Sequence, residues 1–228
     1  MHSKIFSAMV FCATVLASIG CSGDASSENT QKETGTVDQK APMTRMDSLA
    51  VKTYPIRSSD NKIATIETDY GKMVLELYRD VAPAHADSFA ARAAEGFYDS
   101  LTFHRIIPNF MIQGGDPSGN GTGHANYMLK AEFSQLPHQE GTLSMARSND
   151  PNSASCQFFI CTARSQSCAA LDGKYSIFGQ LIKGFDALHK IEAVESVTGP
   201  FGGEKSSPAQ KVVMTKVYLS DADGNPLK

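Results

Sequence analysis

Within "FHRIIPNFMIQGGDP", residues 103–117, the polar side chains His104, Arg105 and Gln113 stand among Phe103, Ile106, Ile107, Phe110, Met111 and Ile112. The stretch otherwise reads as a buried β-segment that exits through a turn at Gly114, Gly115 and Pro117. Burial penalises polar and charged groups unless each gains a partner, so an arginine and a glutamine here need a purpose. Two kinds of chemistry find little support. A cysteine nucleophile served by His104 would use Cys156, but no third group to orient the histidine is evident. A phosphate loop would use "GGDPSGNGTG", residues 114–123, which lacks the Gly-Lys-Ser/Thr ending and opens no clear helix; it reads as a loop beside a groove. Cys156, Cys161 and Cys168 lack metal-ligand spacing, so neither a metal nor a cofactor is expected. His104 is expected to be structural and hydrogen-bonded.

Positioning such residues requires a frame, and the hydrophobic periodicity supplies one. "KIATIETDYGKMVLELY", residues 62–78, alternates on both sides of a turn at 69–72 and predicts a hairpin with one half-buried face. "APAHADSFAARAAEG", residues 82–96, has Pro83 in a first turn and Gly96 at a C-terminal stop, which predicts a helix. Short strands are predicted at 102–106, 111–114, 143–145, 157–161 and 176–182, a second helix at 185–193 and a last strand at 211–219. Many short strands, two helices and no internal repeat point to a closed or nearly closed antiparallel sheet rather than a βαβ fold.

The 228 residues, 41% hydrophobic and 20% charged, hold one domain of roughly 150 to 170 residues plus an extension. A net charge of -3, a pI near 6.1 and the absence of a Lys/Arg run argue against nucleic acid as a partner. At the N-terminus, His2 and Lys4 precede the apolar run "IFSAMVFCATVLASIG" and Cys21, a layout that predicts a signal peptide over 1–20. The run is too short for a comfortable membrane span. Ser18 and Gly20 before Cys21 resemble a bacterial lipobox, although Ser18 stands where leucine is usual, so Cys21 is the expected lipidation site. Ordinary secretion and an uncleaved anchor are the alternatives. Residues 21–61 have too little apolar content for a core and predict a flexible tether with a reach of about 35 Å, which leaves the domain at 62–221 and a tail at 222–228. Cys161 and Cys168 could form a disulfide in an oxidising envelope; free buried thiols are the plainer reading.

Three motifs occur in order, "FHRIIPNFMIQGGDP", "GTLSMARSNDPNSASCQFFICTA" and "LDGKYSIFGQLIKGFDAL", and with them the chain from about Lys62 to Leu219 resembles a cyclophilin-type peptidyl-prolyl isomerase. The resemblance implies a mainly β fold, a closed eight-stranded antiparallel β-barrel capped by two α-helices. It implies catalysis by Arg105, with Gln113 and Gln157 as polar positioners. The proline pocket would comprise Phe110, Met111, Phe159 and Leu171, closed by Tyr175, with Ala146 and Arg147 along the neighbouring peptide groove. Two departures stand out: Ala170 replaces a tryptophan common in eukaryotic members, and Tyr175 replaces a histidine. The segment "NDPNSAS", which follows Arg147 and Ser148, also differs in length from the eukaryotic pattern.

The implied reaction explains the residue types. Resonance gives the bond before proline a rotation barrier of roughly 18 to 20 kcal/mol. No covalent bond is made or broken. An apolar slot must hold the proline ring, polar groups must hold the peptide, and a donor must favour the twisted state. Twisting localises the lone pair on the proline nitrogen, so a guanidinium aimed at it gains strength as the barrier is climbed. Arginine suits the role because it stays charged and its planar fork can hold and donate together. The expected substrates are Xaa-Pro bonds of envelope or exported proteins, met by a monomeric, periplasm-facing lipoprotein whose only membrane contact is its anchor. The competing expectation is a non-catalytic proline-peptide-binding or chaperone lipoprotein using the same groove.

Overall fold

The computed structural model describes residues 58–199 and 203–227; the expected signal peptide, Cys21 and nearly all of the expected tether lie outside the described residues. The hairpin forms as β1 (Lys62–Thr68) and β2 (Gly71–Leu77), joined by Asp69 and Tyr70. The expected half-buried face does not hold for β2, where Met73 through Leu77 are all buried. Its second face is covered from the C-terminus. Tyr218 donates to the Gly224 carbonyl at 3.0 Å, and a turn closed by Asp221 brings Gly224 against Val74 and Thr65. Buried Glu76 accepts from Asn61 at 3.1 Å.

Helix α1 (Pro83–Ala94) begins with proline, whose missing N–H costs nothing in the first turn. No residue of its own caps it. Glu132, far along the chain, accepts from the backbone N–H groups of Ala84 and His85, each at 3.1 Å, which satisfies orphan donors at the positive end of the helix. The helix buries Phe89 against Tyr98, Phe158 and Phe178, with ring centres 5.0, 5.2 and 5.6 Å away. These rings and the aliphatic residues of β1, β2 and the strands below form the main core.

The remaining strands are β3 (Arg105–Ile107), β4 (Met111–Gly114), β5 (Thr142–Met145), β6 (Phe158–Cys161), β7 (Ile177–Lys183), β8 (Ser196–Thr198), β9 (Lys205–Pro208) and β10 (Met214–Leu219). Helix α2 (Gln166–Ala169) is a single turn, capped where the Ser165 hydroxyl accepts from the Cys168 N–H, and α3 (Phe185–Glu192) follows β7. Eight strands form one antiparallel sheet in the order β10-β1-β2-β7-β5-β6-β4-β3, strongly curled, while β8 and β9 make a separate pair. The mainly β, eight-stranded expectation therefore holds, with three differences. Between β3 and β10 the barrel is not sealed by a ladder: the seam is a single bridge, Thr102 with Val213, flanked by backbone bonds such as Phe103 N–H to Val212 O at 2.9 Å. The last strand starts at Met214 instead of 211, and α2 and the β8–β9 pair were not expected.

Candidate functional site

Strand register brings the motif residues together. On the outer strands of the sheet, Arg105 pairs with Gln113 across β3 and β4, and Gln113 pairs with Phe159 across β4 and β6. Because side chains alternate faces, these three and Met111, two residues before Gln113, project from one side, away from the main core. There Met111, Phe159, Cys161 and Cys168 form a second, smaller apolar cluster, flanked by the partly buried Ile107, Phe110, Ala146, Leu171 and Tyr175. Tyr175 packs edge-on to Phe159 with ring centres 5.9 Å apart. The arrangement is an apolar patch with a guanidinium at its border.

A run of side-chain hydrogen bonds fixes the polar border. Arg105 Nη1 donates to Gln113 Oε1 at 3.4 Å, Gln113 Nε2 to Gln157 Oε1 at 3.0 Å, and Gln157 Nε2 to the Gly123 carbonyl at 2.6 Å. Each amide thus has its carbonyl end set by a donor and its amino end by an acceptor. The glycine-rich loop ends this chain and is itself built on the buried carboxylate of Asp116, which accepts from the N–H groups of Ser118, Asn120 and Gly121. Gly123 is required there, since a Cβ would lie 1.9 Å from Asp116 Oδ1. At Gly115, where φ is +81°, a Cβ would meet the Cys156 carbonyl at 2.6 Å. His104 borders the same loop. Its buried Nδ1 has no partner of good hydrogen-bond geometry beyond a weak bond with the Thr102 backbone, and burial holds its pKa below the usual histidine value.

Arg147 sits at the opposite rim. Its guanidinium lies 4.4 Å from the Tyr175 ring centre and donates to the carbonyls of Lys174 at 2.9 Å and Ser148 at 2.8 Å. Ala146 lies between, its N–H bonded to the Gln157 carbonyl at 2.9 Å. Ala170 is exposed at the C-terminal cap of α2 and takes no part in the apolar cluster.

Two groups of site residues escaped the sequence reading. His138, fully buried, stacks on Phe159 with ring centres 5.9 Å apart and 13° between planes. Its Nδ1 donates to Asp172 at 3.0 Å, its Nε2 meets the Ser144 hydroxyl at 3.1 Å, and Arg164 clasps both Asp172 and the His138 carbonyl. Burial lowers the His138 pKa against the pull of Asp172, which keeps the ring neutral. Burial alone would raise Asp172, but Arg164 and the His138 donors outweigh it and hold its pKa at about 2. This network braces the back of Phe159 and the segment that carries Leu171. A carboxyl depressed in the folded state contributes stability above its unfolded value near 4 and loses it as pH falls through the folded one. Asp172→Asn should therefore cost about 1 to 2 kcal/mol at pH 7, after allowance for solvent screening, and much less at pH 2, where the folded-state carboxyl is half protonated. Urea unfolding at both pH values checks this; an equal deficit at pH 2 would contradict it.

The second omission is Glu204, just before β9. Its Oε2 accepts from Arg105 Nη2 at 2.8 Å and Nε at 3.1 Å. Beneath the patch, Cys161 and Cys168 are free thiols, as is Cys156. The Cys161 thiol donates to Cys168, bringing the latter's pKa down to about 7 and pushing its own well up. Among the described residues no cluster of three or more His, Cys, Asp or Glu is placed to hold a metal ion.

The comparisons with known proteins agree with this geometry. The family model described as cyclophilin type peptidyl-prolyl cis-trans isomerase/CLD matches residues 63–219. A peptidyl-prolyl cis-trans isomerase of Acinetobacter baylyi is 37% identical over 163 residues, 70% of this chain and 86% of that protein. One from Helicobacter pylori is 38% identical over 157 residues, 64% of this chain and 94% of its own. A cyclophilin-type isomerase of Cryptosporidium parvum, crystallised in the presence of the dipeptide Ala-Pro, superposes with a TM-score of 0.63 at 31% identity, covering 70% of this chain and 99% of that one. This chain therefore belongs to the cyclophilin-type peptidyl-prolyl cis-trans isomerases, a family of enzymes that rotate the peptide bond before proline.

Proposed function

We propose that the patch around Met111 and Phe159 holds the proline ring of an Xaa-Pro segment while Arg105 catalyses its rotation, on exported or envelope proteins whose folding the enzyme assists. The observation that carries this reading is the meeting, in one register, of an always-charged donor with an otherwise apolar surface. Arg105 Nη1 lies 3.8 Å from Met111 Sδ and 3.4 Å from Gln113 Oε1, so a ring seated on Met111 and Phe159 would lie beside the guanidinium. Phe110, Leu171 and Tyr175 wall the slot. Gln113 and Gln157 present donors and acceptors to the peptide, with Ala146 and Arg147 on the side towards the preceding residues. A proline-isomerisation assay on the purified chain tests the activity; strong peptide binding without faster exchange would favour the binding or chaperone alternative.

The chain acts as a monomer in the cell envelope, facing the periplasm and held to the membrane by lipid on Cys21. The signal-like residues 1–20 and the polar stretch after Cys21 support this. The anchored protein should partition into detergent, and Cys21→Ser should release it or leave it mis-processed. Unchanged membrane association of that variant would contradict the anchor.

A further inference from the structure

Arg105 enters the site with its outer edge already engaged. Both N–H groups on that edge, from Nε and Nη2, converge on Glu204 Oε2 at 3.1 and 2.8 Å, whereas Nη1 turns towards Gln113 and Met111. The two anchors come from opposite directions: Gln113 is the cross-strand neighbour of Arg105, and Glu204 reaches in from the segment leading into β9, 99 residues away. A guanidinium is planar, so contacts on its Nε–Nη2 edge and at Nη1 together fix its rotation about the side-chain axis. Nη2 keeps one N–H for the substrate, and on Nη1 the substrate would have to displace only the long 3.8 Å contact with Met111 Sδ.

We infer that Glu204 is a positioning residue for the isomerase, holding the Arg105 guanidinium in the one orientation that presents its available N–H groups to the twisted proline nitrogen. The inference rests on the reading of Arg105 as catalytic. The pair is too exposed to matter much for stability, with 33% of the arginine and 51% of the glutamate side chain accessible. Its effect lies in removing rotamer freedom from a long side chain before the substrate arrives, and such pre-organisation acts on the rate of the chemical step more than on ground-state affinity. The hydrogen bonds do the orienting, so an uncharged acceptor of the same shape should serve nearly as well.

Glu204→Ala should reduce kcat on an Ala-Pro peptide by about three- to tenfold, with peptide affinity changed by no more than about twofold. Glu204→Gln, which keeps a side-chain carbonyl for Nε and Nη2, should stay within about twofold of wild type in both. In the Arg105→Ala background, Glu204→Ala should have no further effect, because the group it orients is gone. A merely structural tie between β9 and β3 would shift the thermal midpoint and would show neither the rescue by glutamine nor the silence without Arg105. The inference is overturned if Glu204→Ala is as fast as wild type or faster, if the loss falls on affinity, if glutamine fails to rescue, or if the loss persists without Arg105. Should Arg105→Ala itself isomerise at the wild-type rate, the catalytic reading falls and this inference with it. A slow Arg105→Ala beside an unimpaired Glu204→Ala would remove the inference alone.

Discussion

Arg105→Ala is expected to lower kcat/KM on an Ala-Pro peptide by about 10² to 10³, the range for removal of one transition-state donor. The reasoning is differential. A ground-state amide nitrogen is conjugated and offers the guanidinium little, whereas the twisted one carries a localised lone pair, so the interaction grows as the barrier is climbed. The stability cost should be small, because Arg105 lies on short edge strand β3 with a partly exposed side chain. Lysine at 105 should rescue only in part: a point charge on a flexible stem can neither bridge Gln113 and Glu204 nor hold a fixed plane. A coupled isomerisation assay on the three proteins, with unfolding curves to show that each is folded, gives the result.

Phe159→Ala should behave differently, with a loss in binding as large as its loss in rate. Phe159 is 5% exposed, stacks on His138 and meets Tyr175 edge-on, so it is both pocket wall and core of the smaller cluster. Removing a buried phenylalanine costs about 3 to 5 kcal/mol of stability in a site that cannot collapse, and somewhat less where an open groove lets the neighbours relax. The ring contacts the proline in ground and transition states alike, so peptide affinity and kcat/KM should fall together, by about tenfold or more. Phe159→Leu should recover most of the stability and part of the affinity. A variant that loses rate but binds peptide like wild type would show that Phe159 is not the wall of the slot.

The contrast between what the sequence revealed and what it hid follows from contact range. Arg105, Met111 and Gln113 sit within one hairpin, so strand alternation alone places them on a shared face once the two strands are recognised, and Phe159 joins them through the next rung. The β1–β2 hairpin and α1 were legible for the same reason, being patterns local to some fifteen residues of chain. Glu204 was not: nothing in "GGEKSSP" marks a partner of Arg105, and β9 is a short, serine-rich strand that reads as loop. His138 likewise looks like any polar residue near a proline, and its bonds to Ser144 and Asp172 exist only after β5 and the 164–172 segment have met. The burial of β2 on both faces depends on the C-terminal turn folding back over Val74, an event no local period can signal. The barrel's loose seam has a similar origin, since the chain meets the start of β10 through residues 100–103, before β3 begins at Arg105, and β3 itself has only three residues.

The claim that Arg105 stabilises the twisted bond rather than the bound peptide is tested most directly by exchange NMR on a single Ala-Pro peptide. Wild type and Arg105→Ala are each titrated so that the affinities for cis and trans forms and the on-enzyme exchange rate come from the same spectra. The account predicts an exchange rate lower by about 10² or more in Arg105→Ala, with both ground-state affinities within a few-fold of wild type. Wild-type exchange in a folded Arg105→Ala, or a loss of affinity as large as the loss of rate, would contradict it.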